Sequence, residues 1–515
     1  MKQLTEEKVR DLYAKFKLKA RDAYNNRQYD SSLKYLKATA GIGYSFYLGY
    51  KDDELECMLE SMSSFVGKRT DNQERLEDEC VFYDSFSVDN GGLVQQYLRA
   101  IMNCGYKIRY IAERDAVLSE ASEIGKLLRG YNRSEIIIIP GNLKPFKKTQ
   151  FIYDKIIETK ASRLFIQSLP YAASAVCAFY ALPSSIKKYK IDLTDHTFWI
   201  GTRFVDYTFE FRSFGCVAAT EKRGFKEQQV LYLPFYPIMQ RQTFVGFPKE
   251  VEGKVILFSG GSYYKIFDVN DTFFIISKAL LDACPNVVLL FAGSGDRILL
   301  NEKIEQYNLS GRFIPIGQRL DISEVFDHCD IYLNTYPFGG GLMSQYAAQK
   351  GKPIVNYHTP TTALVEEFVC QIKQIPLSDD SLEELVKRVK CLVDNPVYRY
   401  EYGKEIQSCV VSPALFNQFF SHCMADGTNP LPYQRNVSFE EHKMNIYDKL
   451  KYEESSKEFH VFLTKLLGVS SIWQCPDIAF STAVSLIKKN RLKNIIKNRI
   501  KRKLLIFEQI DRNTK

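Results

Sequence analysis

Ile331-Tyr332-Leu333-Asn334-Thr335-Tyr336-Pro337-Phe338-Gly339-Gly340-Gly341-Leu342-Met343-Ser344 reads as a buried strand that empties into a glycine loop and then opens a helix. The helical pattern runs from Leu342 to Lys350. Gly351 closes it, and Pro353 to Tyr357 returns to strand. Strand, glycine loop, helix, strand is a βαβ unit with parallel strands. Three successive glycines remove every Cβ from the strand exit, so backbone amides can approach a ligand. The helix start adds about half a positive charge. Gly339, Gly340 and Gly341 with Leu342, Met343 and Ser344 therefore form a candidate anion site suited to a diphosphate.

The same rhythm extends upstream. Val255 to Ser259 is a strand, Asp271 to Ala283 a helix, Val287 to Ala292 a strand, Arg312 to Ile316 a strand and Ile322 to His328 a helix. The first of these strands ends in Gly260-Gly261-Ser262, with Lys265 three residues on as a mobile cation. The next two end in Gly293-Ser294-Gly295-Asp296 and Gly317-Gln318-Arg319, and Arg319 is a candidate phosphate or base contact. Four consecutive strands thus deliver glycine or basic residues at their carboxyl ends, and His358 follows a fifth. In doubly wound sheets ligands lie at those ends.

An earlier half repeats the pattern. Cys80 to Asp84 is a strand, followed by a loop ending in Asp89-Asn90-Gly91-Gly92, a helix over Leu93 to Asn103 and a strand over Lys107 to Ala112. Glu135 to Gly141 reads as a buried parallel strand from its unbroken apolar run. Arg163 to Gln167 is another strand, and Thr197 to Gly201 is a further candidate. The fold class is α/β, with two Rossmann-like domains facing across a cleft. The expected division is a helical cap over 1–75, a first Rossmann-like domain over 76–250, a second over 251–430 and a helical extension over 431–515. Leu12, Phe16 and Ala20 set the helical spacing of the cap. Ala23 to Leu36 looks like one tetratricopeptide helix pair.

Composition narrows the function classes. The chain has 515 residues, 45% apolar and 25% charged, the balance of a globular protein. No apolar run is long enough to span a bilayer. Met1 to Lys19 alternates charges with single apolar residues, so no secretory leader is expected. The 12 cysteines are scattered without C-x-x-C pairs, which fits free thiols in a reducing compartment. Net charge is +8, but nine basic residues fall between Lys488 and Lys503 with no acidic one among them. Leu492, Ile495, Ile496, Ile500 and Leu504 recur there at helical spacing, the pattern of an amphipathic helix over 486–506 on an anionic membrane surface. A solvated helix packed on the body fits the same pattern. Without interleaved aromatic residues the stripe does not read as a nucleic-acid site. Neither G-x-x-x-x-G-K-[ST] nor a strand-borne G-x-G-x-x-G occurs, which disfavours P-loop and simple dinucleotide enzymes.

At residues 255–360 the phrases Tyr263-Tyr264-Lys265-Ile266, Pro285-Asn286, Asp330 to Thr335 with Gly339-Gly340-Gly341, and Gly351-Lys352-Pro353 resemble the donor half of GT-B glycosyltransferases. In particular they resemble the clan of O-linked N-acetylglucosamine transferases and bacterial cytoplasmic N-glycosyltransferases. Asp195-His196-Thr197-Phe198-Trp199-Ile200-Gly201 and Glu210-Phe211-Arg212 resemble bacterial glycosyltransferases of surface-polysaccharide or glycoprotein synthesis. The resemblance covers about 80–430. It implies a UDP-sugar donor, a glycan, lipid-linked or protein acceptor, no cofactor, no obligatory metal, and transfer by inversion. It places Lys265 and Gly340 to Ser344 on the donor diphosphate. Gln345 stands where many retaining enzymes carry a glutamate. A cytoplasmic location, peripheral at the inner face of the plasma membrane, is the matching expectation.

Inversion also needs a base for the acceptor hydroxyl, drawn from the first half across the cleft. Asp89, on the loop with Gly91 and Gly92, is one candidate and equally reads as a helix cap. His196 is the other, as the only histidine of the first half. Glu210 and Arg212 read as an ion pair. Two alternatives remain open from sequence: a non-catalytic GT-B-like partner of another transferase, and a sugar-nucleotide epimerase on the same frame.

Overall fold

The computed structural model describes residues 6–67, 74–89, 92–236, 238–239 and 241–439. The basic 486–506 segment and Gly91 lie outside them. The description concerns the compact unit Val9–Asp448.

Two all-parallel sheets carry the architecture. The first has strands β1 (Leu76–Asp84), β2 (Lys107–Ala112), β3 (Ser134–Ile138), β4 (Ala161–Gln167), β5 (Lys187–Asp192), β6 (Tyr207–Glu210) and β7 (Val230–Tyr232), in the order β3-β2-β1-β4-β5-β6-β7. The second has β8 (Val255–Gly260), β9 (Val287–Ala292), β10 (Phe313–Gly317), β11 (Ile331–Leu333), β12 (Ile354–Tyr357) and β13 (Ser378–Asp379), in the order β10-β9-β8-β11-β12-β13. Both sheets follow the 3-2-1-4-5-6 order of a doubly wound nucleotide-binding sheet, the first with one strand added. The strand order reverses between β1 and β4 in one and between β8 and β11 in the other, and a switch point of this kind opens a crevice.

The apolar runs form strands because both faces of a parallel sheet are covered. Val287 to Ala292 is buried along its whole length. The run after Ser134 behaves differently. β3 is the edge strand and its isoleucines are only half-buried, so continuous hydrophobicity there does not mean a central position. Thr197 to Gly201 is loop rather than strand. The strand expected there is β5, whose sequence Lys187-Lys188-Tyr189-Lys190 hides its burial. Lys188 and Lys190 are nonetheless buried, with the Lys190 ammonium donating to Ser168 O and Oγ at 3.2 Å.

Helices Glu6–Asn25, Tyr29–Ser45 and Asp53–Ser63 form the cap. Their apolar faces, including Ala20, Leu36 and Leu59, share one core with Tyr83, Ile152 and Phe179 of the first lobe. The cap is therefore part of that lobe's core. Helix Pro413–Asp426, inside the stretch expected to belong to the second domain, also crosses to the first. Its Phe416 and Phe420 rings lie 5.3 and 5.9 Å from those of Tyr97 and Phe165.

The buried Lys190 gives a pH signature. Burial lowers its ammonium from 10.5 to about 8, against the opposing pull of Asp192 and Glu210. Between those two values the folded protein has released a proton that the unfolded chain still holds, so stability rises with pH across that window. The unfolding free energy of the wild type, compared with that of Lys190→Met, should gain up to about 3 kcal/mol from pH 7 to pH 10. Parallel denaturation curves for the two proteins, without convergence, would contradict this.

Candidate functional site

The second switch point is built from the loops after β8 and β11. At the end of β8, Gly261 has φ +152°, a conformation open to glycine, and its amide donates to Ala292 O at 2.9 Å. Lys265 sits in the 3-10 turn Tyr263–Ile266. That turn is joined to the opposite loop by Phe338 N donating to Lys265 O at 3.3 Å. The Lys265 ammonium reaches Gly339 O at 3.4 Å. Burial holds it below the usual lysine range, and no carboxylate among the described residues opposes that shift. A buried ammonium whose partner among the described residues is a carbonyl is a candidate anion site.

Asn334, at the end of β11, shapes the glycine loop. Its Oδ1 accepts from Thr335 N at 3.0 Å and Gly340 N at 2.8 Å, while its Nδ2 donates to Asn356 Oδ1 at 2.9 Å. The Gly340 amide is therefore committed within the protein. Helix Gly341–Gln349 makes its first intrahelical bond from Ser344 N to Gly340 O at 2.8 Å, so the amides of Gly341, Leu342 and Met343 precede the helical ladder. Those amides and the Lys265 ammonium flank the same exit, and the Met343 side chain lies against Gly260.

The three glycines divide their work. None of Gly339, Gly340 and Gly341 has a positive φ. Gly341 is required by its neighbour, because a Cβ there would sit 2.6 Å from the Phe368 ring. Alanine at that position should gain about 1 kcal/mol of helix propensity and lose about 1–3 kcal/mol to overpacking. Gly341→Ala is therefore expected to lower thermal stability, and an unchanged or raised melting temperature would contradict the packing.

The remaining donor-side candidates fall into two groups. Ser262 is exposed at the loop, its carbonyl accepting from Lys265 N. His358 follows β12 and bonds Thr362 Oγ1 through Nδ1 at 3.1 Å. Its neighbour Thr359 lies 3.4 Å from Tyr336 OH, which brings that loop beside the glycine loop. Arg319, by contrast, follows the edge strand β10, two strands and about 10 Å from β8. Its guanidinium is committed to Asp321 at 2.5 and 2.7 Å and to Gly246 O at 2.8 Å, where it pins the connector between the lobes.

In the first lobe Asp89 serves as a helix-end acceptor. Its oxygens take Glu123 N at 2.9 Å and Ile124 N at 3.0 Å, at the start of helix Glu123–Arg129. Gly92 caps helix Leu93–Asn103 with φ +82°, and a Cβ there would meet Ile238. His196 is one-third exposed and bonds Asp195 Oδ1 through Nδ1 at 3.2 Å. Asp195 is fully buried. Burial pushes its carboxyl up, but the Arg212 charge with hydrogen bonds from His196 and Arg212 outweighs burial and holds it well below the usual range. Arg212 grips it with a two-pronged bond, Nε to Oδ2 at 2.6 Å and Nη2 to Oδ1 at 3.1 Å. The expected Glu210–Arg212 pair does not form. Glu210 accepts from Thr208 Oγ1 at 2.7 Å, and burial raises its carboxyl well above the usual range.

The lobes join at these carboxyl-end loops. Gln345 donates to Phe235 O at 2.8 Å and Phe368 O at 3.0 Å, so its amide clasps the two lobes. Glu367, in helix Glu366–Val369, accepts from Arg212 Nη1 at 3.2 Å and Phe214 N at 3.0 Å. Sequence reasoning passed over Asn334, Glu367 and this clasp. The one available signal was an asparagine at a strand exit, immediately before a glycine loop.

No protein-family model matches the sequence, and no curated protein matches it. Among solved structures, the chain is similar to a mutant O-GlcNAc transferase of Thermobaculum terrenum at 12% identity, over 83% of this chain and 79% of that one, with a TM-score of 0.49. Anabaena HepE in complex with UDP and glucose is similar at 14% identity, over 68% and 100%, also with a TM-score of 0.49. A glycosyltransferase of Rickettsia africae is similar at 12% identity, over 68% and 98%, with a TM-score of 0.48. At such identities the chemistry has to stand on this chain's own residues.

Proposed function

We propose that the protein is a GT-B glycosyltransferase that moves a sugar from a nucleotide donor, a UDP-sugar, to a hydroxyl of a glycan, lipid-linked or protein acceptor. The observation that supports this most is the Lys265 ammonium, desolvated and with no carboxylate partner among the described residues, at a sheet switch point against the carbonyl of Gly339, two residues before the helix start at Gly341. Departure of the sugar adds a third negative charge to be stabilised on a diphosphate that already carries two. One ammonium and a helix N-terminus supply that stabilisation without reorganisation. No cofactor or metal is required by the scheme.

His196 is the proposed base. With Nδ1 bonded to Asp195, its imidazole takes the acceptor proton as the acceptor oxygen attacks C1 from the face opposite the leaving diphosphate, which inverts the configuration. Asp89, engaged by two backbone amides, is the weaker candidate. Calorimetric titration with UDP tests the donor site. Binding in the micromolar range supports the reading, and no heat at millimolar UDP overturns it. His196→Gln should then bind UDP normally and transfer at about 1% or less of the wild-type rate. Full transfer activity in that variant would remove His196 from the mechanism. A wild type that binds UDP yet neither hydrolyses nor transfers from any UDP-sugar would favour the non-catalytic partner.

A further inference from the structure

Three residues in a row on helix Glu366–Val369 point to three different places. Glu366 accepts from Leu377 N, Ser378 N and Ser378 Oγ at 2.7–2.8 Å, and Ser378 Oγ in turn accepts from Asn356 Nδ2 at 2.8 Å. Through Asn356 and Asn334 that chain ends on the Gly340 amide of the donor loop. Glu367 reaches the first lobe through Arg212 and the Phe214 amide. Phe368 stands between, with its ring centroid 4.8 Å from the Arg212 guanidinium carbon and its edge against Gly341. The contacts form a continuous series from the glycine loop to the imidazole of His196.

We propose that Glu367 is a positioning residue: from the second lobe it fixes Arg212, and through Arg212 and Asp195 it sets the orientation of His196, so the base is aligned only where the donor lobe is docked. The proposal rests on the transferase reading for the role of His196. The physical reasons are local. Arg212 is buried between the rings of Phe214 and Phe368, at 4.6 and 4.8 Å, and its fork is divided between two carboxylates on different lobes. A guanidinium is planar and rigid, so loss of one carboxylate rotates the plane that holds the other. Asp195 would follow, and His196 Nδ1 with it. Second-layer partners of this kind determine ring orientation in many histidine sites.

The test uses the full chain with ¹⁵N-labelled histidine, and His196→Gln assigns the His196 signals among the six histidines. Glu367→Gln keeps the side-chain shape but turns an NH2 group toward Arg212 or the Phe214 amide, and Glu367→Asp keeps the charge. In Glu367→Gln the His196 ring ¹⁵N resonances should move while the other five histidines stay in place. Glu367→Asp should restore them at least in part. Unmoved His196 resonances in Glu367→Gln, with the protein folded, overturn the proposal. Uniform movement of all histidines also overturns it, since that signals general loosening. Glu367→Ala serves the same readout if the glutamine variant fails to fold. Addition of UDP forms a second arm. In the wild type, UDP should shift the His196 resonances, and Glu367→Gln should bind UDP within about threefold of wild type with that shift lost. A UDP-induced shift retained in Glu367→Gln overturns the coupling. Absence of UDP binding to the wild type counts against the transferase reading alone, because the first arm needs no ligand.

Discussion

Lys265→Ala is expected to weaken UDP binding by roughly 10- to 100-fold, the effect of losing about 1.5–3 kcal/mol from a charge-assisted contact. Transfer from the cognate UDP-sugar should fall further, by about a hundred- to a thousand-fold, because the cation matters most when the diphosphate is leaving. Folding should be spared or improved. The wild-type ammonium is held below its ordinary range by burial, with no carboxylate compensating it among the described residues, so it is a destabilised charge before a ligand binds. Removing a strained cation and losing a ligand should therefore go together. Lys265→Met separates the effects of charge and volume, and it should bind UDP as poorly as the alanine variant. Calorimetry and thermal melts on the same samples check both halves. A Lys265→Ala protein that binds UDP as tightly as the wild type would remove the central support of the proposed function.

The largest stability effect is expected at Arg212. Arg212→Leu strips the fully buried Asp195 carboxylate of its guanidinium and takes the same charge from Glu367. Breaking a buried pair from one side costs about 3–5 kcal/mol. Arg212→Leu combined with Asp195→Asn should recover part of that loss, because the stranded charge is gone. A double-mutant cycle in urea reads this directly. The pH dependence has a definite sign. The folded Asp195 carboxyl lies below its unfolded value of 3.8, so the pair stabilises fully above that value and its contribution is lost as pH falls through the lower, folded value. The stability gap between wild type and Arg212→Leu should therefore close in acid. A gap of less than 1 kcal/mol at neutral pH would show that the pair adds little at this seam.

Much of the architecture was legible because parallel sheets advertise themselves. Leu93–Asn103, Lys107–Ala112, Val287–Ala292 and Ile322–His328 fall at the bounds that their apolar period and flanking glycines indicate. The glycine loops could be placed on strand exits for the same reason. What sequence concealed was of two kinds. Lysines mask β5, since a buried Lys190 paired to Ser168 and facing Asp192 and Glu210 violates the hydrophobic pattern by which strands are found. Contacts between residues far apart in the chain carry no periodicity at all. Nothing local in Glu367 signals that it meets Arg212, 155 positions away. The pairing expected from proximity, Glu210 with Arg212, fails because the strand ends at Glu210 and Arg212 stands at the start of the next helix, turned toward Asp195 and Glu367. Asp89 illustrates the same limit: Gly92, not Asp89, caps the adjacent helix, and the amides Asp89 holds belong to a helix more than thirty residues downstream.

The return of helix Pro413–Asp426 to the first lobe bears on how the chain comes off the ribosome. Tyr97, Phe165 and Phe209 belong to a lobe that is otherwise complete by residue 236, yet Phe416 and Phe420 fill the aromatic face they share. A nascent chain halted after its first sheet would expose that face until some two hundred further residues had emerged. Expression of the first lobe alone should therefore yield a sticky, chaperone-bound product, and supplying the missing helix in trans as a peptide should return it to the soluble fraction.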